Sequence, residues 1–438
     1  MIRSTRHRAL HPGVLAAVLA AALGLGACDA LDDLLSVDKP TTVPAEVIDD
    51  PLKAQLMVNG AVADFECAFG AYVVMSGLIG EEFIDATQTA DRWPYDRREV
   101  QPGDSRYATF SCQAIGVYTP LSTARFTADG ALTRLQGWSD AQLPGMNRQR
   151  LIATAAAYAG YSYLLLGEGF CSAAVDGGPE LTPQQLFALA EDRFTTAITA
   201  AAAAGTTAED VSLLNMARVG RARARLNQSA ATPSKLALAA ADAALVPSGF
   251  VRLATAAGPG DDRRVNRVFQ ENGQGQSVAV GPRYRDLTVN GAPDPRVVVT
   301  DAGRTATDGT RIWLQNKYTS LAAGIPIASW DEAQLIRAEV ALRSGSPGDA
   351  VDIINALRAT QSITAYTGGT SQAEVLALLI DERRRELFLE GHHLYDANRF
   401  NLALTPAAGT AFSKGGTYGN TKCLPLPNVE RFNNPNIG

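Results

Sequence analysis

Apolar side chains recur at helical spacing over residues 149–205, which predicts two successive helices. The first covers Gln149–Gly167, where small and aromatic residues follow a helical period up to a terminal glycine. The second begins at Thr182-Pro183, because threonine caps a helix start and proline is favoured in the first turn. Gly205 is expected to end it. Its apolar stripe consists of Leu186, Leu189, Phe194, Ala197 and Ile198.

Similar patterns predict five more helices, the first four of which form two hairpins around short turns. They cover Val211–Leu226, Ser234–Leu245, Trp330–Ser344, Pro347–Thr360 and Ser371–Glu390. Small residues lie where two antiparallel helices would touch, namely Ala338, Ala341, Ala350 and Ala356. Such hairpins resemble tetratricopeptide repeats, although the pairs start near 149, 211 and 330 and lack the regular period of about 34 residues. We therefore expect a mainly α fold, with tetratricopeptide-like hairpins in a superhelical scaffold.

The segments outside this scaffold lack helical periodicity. Residues 247–328 are rich in Gly, Pro, Asn and Asp, with β-like pieces at Arg296–Thr300 and Arg311–Leu314. Residues 29–105 and 404–438 are also expected to be loop-rich. Long irregular insertions in folded proteins usually carry function, so we expect a ligand-facing subdomain there. The scaffold itself is predicted at about 149–246 and 330–401, and residues 28–438 are expected to form one domain.

The first 27 residues form a predicted export signal. Three arginines precede the apolar run Val14–Leu25, whose 12 residues are too few to span a bilayer. Leu25-Gly26-Ala27-Cys28 then matches a bacterial lipobox, so Cys28 is the predicted lipidation site. The alternative is an ordinary secretory signal with a chance cysteine. The acidic residues 29–33 resemble a surface-targeting tether, although such a run is usually a solvated linker.

Four cysteines remain beyond Cys28. In an exported chain an even number predicts disulfides, and four permit three connectivities. We favour Cys67–Cys112 and Cys171–Cys423, because the segments of each pair are expected to meet. The alternative is four buried thiols.

Charge and histidine content exclude several classes of function. The chain carries 39 basic and 45 acidic residues, and without the signal the balance is 36 against 45, or −9. Such acidity disfavours nucleic-acid binding. Beyond the signal only His392 and His393 remain, and adjacent helical residues cannot share a ligand face. We therefore predict no metal site and no cofactor, although Gly258–Asp262 contains two acids that could also form a calcium loop or a simple turn.

Charged residues interrupt the apolar stripe of the last long helix. Arg383 and Glu390 fall within the stripe and Glu386 at its edge, so each needs a partner. We expect Arg383 to pair with Glu386, and the like-charged Glu386 and Glu390 to need a further cation such as Arg399. A carboxylate pair for glycosidase chemistry is the alternative. We favour a structural ion network, because carboxylates supplied with arginines are poor proton donors.

The same segment resembles the signature of the RagB/SusD family of outer-membrane nutrient-binding lipoproteins. The family pattern E-R-x-x-E-L…E-G…D-x-x-R matches Glu382, Arg383, Glu386, Leu387, Glu390, Gly391, Asp396 and Arg399. Residues 332–339 resemble its E-x-x-L-x-x-A-E helix, and Leu424-Pro425-Leu426-Pro427 with Asn434-Pro435 resembles its closing motif. With the lipobox, these motifs follow the family order along the whole chain. The four cysteines and the high alanine content depart from the pattern.

The resemblance implies a non-enzymatic protein that captures an oligosaccharide or peptide. Family members cover a TonB-dependent transporter in the outer membrane, to which a lipid anchor would tether this chain facing the exterior. Aromatic faces stack on sugars, and the loop candidates are Trp93, Tyr95, Tyr284 and Trp313. The alternative for each is a buried core residue.

Two other functions remain open from the sequence. One is a secreted glycan hydrolase that uses carboxylates such as Glu82 or Asp85 near the aromatic loop. The other is a helical-repeat scaffold that binds only proteins. The long irregular insertion with its aromatic residues argues against such a scaffold.

Overall fold

The computed structural model describes residues 49–112, 115–260 and 263–437. The export signal, Cys28 and the acidic segment 29–33 lie outside the described residues, as does the Asp261-Asp262 pair of the candidate calcium loop. Residues from Pro51 onward form one compact unit.

α-Helices make up about half of the described chain. In chain order they are α1 Ala54–Ile79, α2 Trp93–Asp96, α3 Tyr118–Gly137, α4 Arg148–Gly169, α5 Pro183–Ala204, α6 Ala208–Gln228, α7 Lys235–Ala244, α8 Trp330–Arg343, α9 Pro347–Thr360, α10 Gln372–Glu386, α11 His393–Arg399 and α12 Asn428–Asn433. From α3 to α9, each helix packs on the next one along the chain. This succession matches the predicted hairpins, and the mainly α fold is confirmed.

Strands are short and occur in antiparallel pairs. They are β1 Phe83–Asp85, β2 Ala173–Ala174, β3 Glu180–Leu181, β4 Val251–Ala254, β5 Val278–Val280, β6 Thr288–Val289, β7 Ala292–Pro293, β8 Val299–Thr305, β9 Arg311–Gln315 and β10 Ile325–Ser329. Five two-stranded sheets result, β1–β5, β2–β3, β4–β10, β6–β7 and β8–β9. Seven of these strands belong to the insertion 247–328, and β5 connects it to the N-terminal part through β1.

The start of α5 follows the predicted capping chemistry. The Thr182 hydroxyl accepts a hydrogen bond from the Gln185 amide, and the Gln185 side chain accepts one from the Thr182 amide. Pro183 occupies the first turn. The reciprocal bonds satisfy amides that the helix itself leaves unpaired, which fixes the start of α5.

Two glycines allow α4, α5 and α6 to approach one another closely. A Cβ atom at Gly160 would lie 2.8 Å from the Phe194 ring, and one at Gly220 would lie 2.4 Å from it. The ring is fully buried and also stacks edge-on against Tyr161, with centroids 4.9 Å apart. Phe194 of α5 is thus enclosed by glycines of both neighbouring helices.

The prediction that residues 29–105 are loop-rich is wrong over Ala54–Ile79, which forms α1. From Phe65 onward every residue of α1 is buried. A helix buried on all sides has no polar face, so it shows no amphipathic stripe in the sequence. Among the described residues, the helical stretch Pro51–Ile79 is the one long and apolar enough to cross a membrane, but 83% of its apolar window is buried inside the protein, as in a core helix.

Helix α10 is shorter than the predicted Ser371–Glu390. It begins with a capping box at Ser371 and ends at Glu386. Leu389 has a φ of 55° and Gly391 a φ of 83°, conformations that cannot continue a right-handed helix. The chain therefore turns away before Glu390.

Both favoured disulfides are confirmed. Cys67 of α1 is joined to Cys112, with Cα atoms 5.8 Å apart, and Cys171 is joined to Cys423, with Cα atoms 5.1 Å apart. The second bridge links the end of α4 to the C-terminal tail, where Cys171 N also donates to Leu424 O at 2.8 Å.

Candidate ligand-binding face

Trp93 is the first residue of α2 and follows an exposed loop of the N-terminal part, and its indole ring is half-buried. Its Nε1 lies 3.5 Å from Thr87 O. The polar side chains of Gln88, Thr89 and Asp91 in the same loop are exposed. An accessible indole flanked by hydrogen-bonding groups suits a ligand with both apolar faces and hydroxyls. We call residues 87–93 the aromatic loop.

Buried polar groups fix the base of the aromatic loop. The Asp85 amide donates to Asp96 Oδ2 at 2.8 Å, and the Asp85 carboxylate accepts from Thr87 Oγ1 at 2.9 Å and also pairs with Lys414. Lys414 in turn contacts Asp308 at 2.8 Å. Burial raises the pKa of Asp96 to about 7. The loop is therefore connected to both the insertion and the C-terminal tail.

A second connection joins the aromatic loop to Trp313. Arg92 forms a 2.6 Å ion pair with Glu271, and the adjacent Asn272 donates to Trp313 O at 3.0 Å. Trp313 on β9 is half-buried, and the guanidinium of Arg285 lies 5.1 Å from its ring centroid. Gln88 Nε2 also donates to Thr307 O, at 2.9 Å. The two tryptophan-bearing segments are thus parts of one hydrogen-bonded assembly.

Two of the four predicted ligand aromatics lie in the core. Tyr95 is 2% exposed and its hydroxyl donates to Ile115 O at 2.7 Å. Tyr284 is fully buried and stacks on Phe388 with ring centroids 4.9 Å apart. Neither ring offers a free face, so their prediction as ligand contacts is wrong in this structure. Trp93 and Trp313 stay candidates, and Trp313 has part of one face covered by Arg285.

The carboxylates proposed for a hydrolase are also enclosed. Glu82 is fully buried and accepts a 2.8 Å hydrogen bond from the Leu389 amide. Burial raises its pKa to about 7. Asp85 is 2% exposed and pairs with Lys414. The contacts of Asp85 assign it to positioning the aromatic loop, whereas Glu82 holds the turn at Leu389, and both carboxylates are shielded from a substrate.

The charged residues of the α10 segment are buried and paired, but the partners differ from those expected. Arg383 pairs with Asp396 at 2.8 Å, and Arg399 joins Asp396 to Glu339. Nearby cations hold the pKa of Asp396 low, at about 2, against the effect of its burial. The predicted Arg383–Glu386 pair is therefore wrong. The sequence missed Asp396 and Glu339 as the partners.

Glu386 and Glu390 likewise find cations outside their own helix. Arg296 of the insertion lies 3.5 Å from Glu386, and Lys317 lies 2.6 Å from Glu390. Arg399 pairs with neither, contrary to expectation. Because residues 296 and 317 belong to an irregular segment some 70–90 positions away, no sequence period could have indicated these partners.

The two histidines are buried next to each other. His392 Nε2 lies 3.3 Å from the Arg223 guanidinium, and burial lowers its pKa well below the usual value. His393 is 3.8 Å from Glu81. Within the described part of the chain, no cluster of three or more His, Cys, Asp or Glu residues could hold a metal ion.

Two residues that organise the ligand-binding face were not indicated by any sequence pattern. Lys414 reaches Asp85 from the C-terminal tail, and Glu271 reaches Arg92 from the insertion. Both are single charged residues in irregular segments, and only the tertiary arrangement brings them to the aromatic loop.

Solved structures of similar architecture define the class of fold. A SusD superfamily protein from Bacteroides vulgatus aligns with 89% of this chain and 98% of its own, with a TM-score of 0.65 and 14% identity. A SusD homolog from Bacteroides thetaiotaomicron aligns with 91% of this chain and 99% of its own, with a TM-score of 0.64 and 15% identity. A SusD-like carbohydrate binding protein from B. vulgatus gives a TM-score of 0.61 at 17% identity, over 89% of this chain and 97% of its own. The protein thus has a SusD-like fold.

Sequence comparison agrees with the fold over part of the chain. The SusD family model matches residues 332–433, the segment that carries the signature described above. The starch-binding protein SusD of B. thetaiotaomicron is 32% identical over 158 residues, which cover 32% of this chain. The aligned segment spans 27% of that relative's length. Both matches fall on part of the chain and support its assignment to the RagB/SusD family.

Proposed function

We propose that the protein is a cell-surface lipoprotein that captures an oligosaccharide and passes it to a TonB-dependent outer-membrane transporter. The observation that carries the capture step is the aromatic loop, with the half-buried indole of Trp93 among exposed polar side chains. The starch-binding activity named for its relative supports a glycan over a peptide as the ligand.

In this proposal the Trp93 ring stacks on the apolar face of a sugar. Gln88, Thr89 and Asp91 exchange hydrogen bonds with its hydroxyls. The Arg92–Glu271 ion pair, at 2.6 Å, keeps the loop in place, which lowers the entropy lost on binding. Binding occurs without turnover, because the nearby carboxylates Glu82 and Asp85 are buried.

The capture step is tested by a glycan and peptide binding screen of the full protein, with analysis of products. For the best ligand, Trp93→Ala should weaken binding about tenfold or more, as expected for loss of an aromatic anchor. Trp138→Ala is the matched control, since this half-buried tryptophan lies at the end of α3. Equal affinity of both variants, with an intact fold, would reject the loop as the site. Ligand turnover would favour the hydrolase.

The lipid anchor is tested at Cys28 by fractionation and intact mass. The wild-type protein should lack residues 1–27, carry a lipid mass and sediment with the outer membrane. Cys28→Ser should be released into the soluble fraction. Digestion of intact cells with a protease then reports whether the protein faces the exterior.

The transporter partnership is tested by co-isolation from native membranes. An affinity-tagged protein should retain a TonB-dependent barrel encoded by a neighbouring gene. Deletion of that barrel should abolish uptake of the captured ligand while leaving its binding to cells intact. Uptake that persists without the barrel would contradict the proposed transfer.

A further inference from the structure

A cleft lies between α8, the end of α10 and the β4–β10 sheet, apart from the aromatic loop. Its volume is about 520 Å³, within the range of cavities that bind small ligands. Apolar side chains form part of the wall, including Phe250, Pro326 and Leu387. None of its lining residues belongs to residues 87–93.

The polar wall of this cleft carries hydrogen-bond acceptors that have no partner among the described residues. The Asp331 carboxylate forms no hydrogen bond or ion pair with any other residue that the structure describes. Gln361 donates to Glu386 at 2.6 Å, while its own Oε1 is buried without a partner. Unsatisfied acceptors around a cavity call for a ligand that supplies donors.

The acidic charge of the cleft is also incompletely balanced. Asp331, Glu386 and Glu390 face Lys317 and Arg296. Lys317 already forms an ion pair with Glu390 at 2.6 Å. Arg296 lies 3.5 Å from Glu386, but makes closer pairs with two other carboxylates, at 2.7 and 2.8 Å.

The protonation behaviour of the acids agrees with this shortage of cations. Burial raises the pKa of Asp331, Glu386 and Glu390, and the negative charge of a neighbouring carboxylate adds to each increase. A cation entering the cleft would relieve the repulsion and favour the ionised forms.

We propose that this cleft is a second sugar site, which accepts a residue bearing a free, protonated amine, as in glucosamine. The ammonium lies against Asp331, the sugar hydroxyls donate to Gln361 and its neighbours, and the apolar wall contacts the ring. The inference extends the proposed glycan capture by naming an amino-sugar class, but it rests on residues that the aromatic loop does not share.

Calorimetry of the full protein with a matched pair of probes tests the inference. The glucosamine disaccharide should bind, and its N-acetylated counterpart, which lacks the charge, should bind at least about tenfold more weakly. Asp331→Asn should weaken binding of the charged disaccharide by a similar factor. Because Asp331 is half-buried and has no partner to lose, this variant should fold normally.

Asp352→Asn is the matched control, because it removes an exposed carboxylate from α9 and should leave affinity unchanged. Unchanged affinity for the glucosamine disaccharide after Asp331→Asn would overturn this proposal without affecting capture at Trp93. Unchanged affinity for the best ligand after Trp93→Ala would reject the aromatic loop without affecting this proposal.

Three results would overturn the proposal. They are failure of the glucosamine disaccharide to bind, equal affinity for the acetylated sugar, and unchanged affinity after Asp331→Asn. A lysine-containing tetrapeptide that binds at Asp331 more tightly than the sugar would also overturn it, since the cleft would then recognise a peptide.

Discussion

Glu382 is the central carboxylate of a buried charge cluster that joins the insertion to the last scaffold helices. It is fully buried, and it accepts from Arg296 Nη1 at 2.7 Å and from Arg358 Nη2 at 2.5 Å. Arg296 also pairs with Asp294, which pairs in turn with Arg385. Nearby arginines hold the pKa of Asp294 low, at about 2.

Glu382→Gln should therefore destabilise the protein strongly. The substitution preserves side-chain volume but removes a negative charge that two buried guanidiniums share. Breaking a buried ion pair by removing one partner costs about 3–5 kcal/mol, mostly because the remaining charge stays buried and uncompensated. The cost should fall within this range, since Arg296 retains Asp294.

Guanidinium chloride unfolding with intact disulfides measures the effect. The matched control is Asp140→Asn, which breaks the pair between Asp140 and Arg148, where the Asp140 side chain is 84% exposed. This control should change the free energy of unfolding little. Adding Arg358→Met to Glu382→Gln should restore part of the loss, because the second change removes one stranded cation. A Glu382→Gln protein as stable as the control would refute the reasoning.

Three further predictions concern pH, crosslinking and packing. Burial raises the pKa of Glu332 to about 8, so the folded state keeps a proton that the unfolded chain releases. The free energy of unfolding should therefore fall as pH rises from about 5 to 8, by up to roughly 1.4 kcal/mol per pH unit from this group. The unfolding midpoint of Glu332→Gln should fall less steeply with pH. The same pH dependence in this variant as in the wild type would exclude Glu332 as the cause. Replacing both Cys67 and Cys112 by serine removes a disulfide between residues 45 positions apart and should lower the free energy of unfolding by up to about 4 kcal/mol. The thermal midpoint should fall accordingly, and an unchanged midpoint would contradict this prediction. Gly220→Ala places a Cβ 2.4 Å from the buried Phe194 ring and should lower the free energy of unfolding by about 1–3 kcal/mol in chemical unfolding. Gly60→Ala, in open space on α1, should be neutral or stabilising. Equal effects of the two substitutions would refute the packing argument.

The sequence alone determined the helices that have one apolar face and explicit end signals. Pro347–Thr360 forms α9 with the predicted bounds, and α5 starts at the Thr182-Pro183 cap. These features depend on residues within a few positions of one another, so local spacing suffices to predict them. The even number of cysteines beyond Cys28 predicted two disulfides with three possible connectivities. The ordered motifs around Glu382 and Gly391 indicated the family.

Only the tertiary structure decided which side chains meet and which remain accessible. Helix α1 was missed because burial on all sides removes the polar face on which periodicity depends. Trp93 and Tyr95 are two positions apart, yet one ring is half-buried and the other lies in the core. Glu390 pairs with Lys317, and Asp85 with Lys414, across many residues of irregular chain. Charge pairing and burial depend on distances in space, which no local pattern of hydrophobic and polar positions specifies.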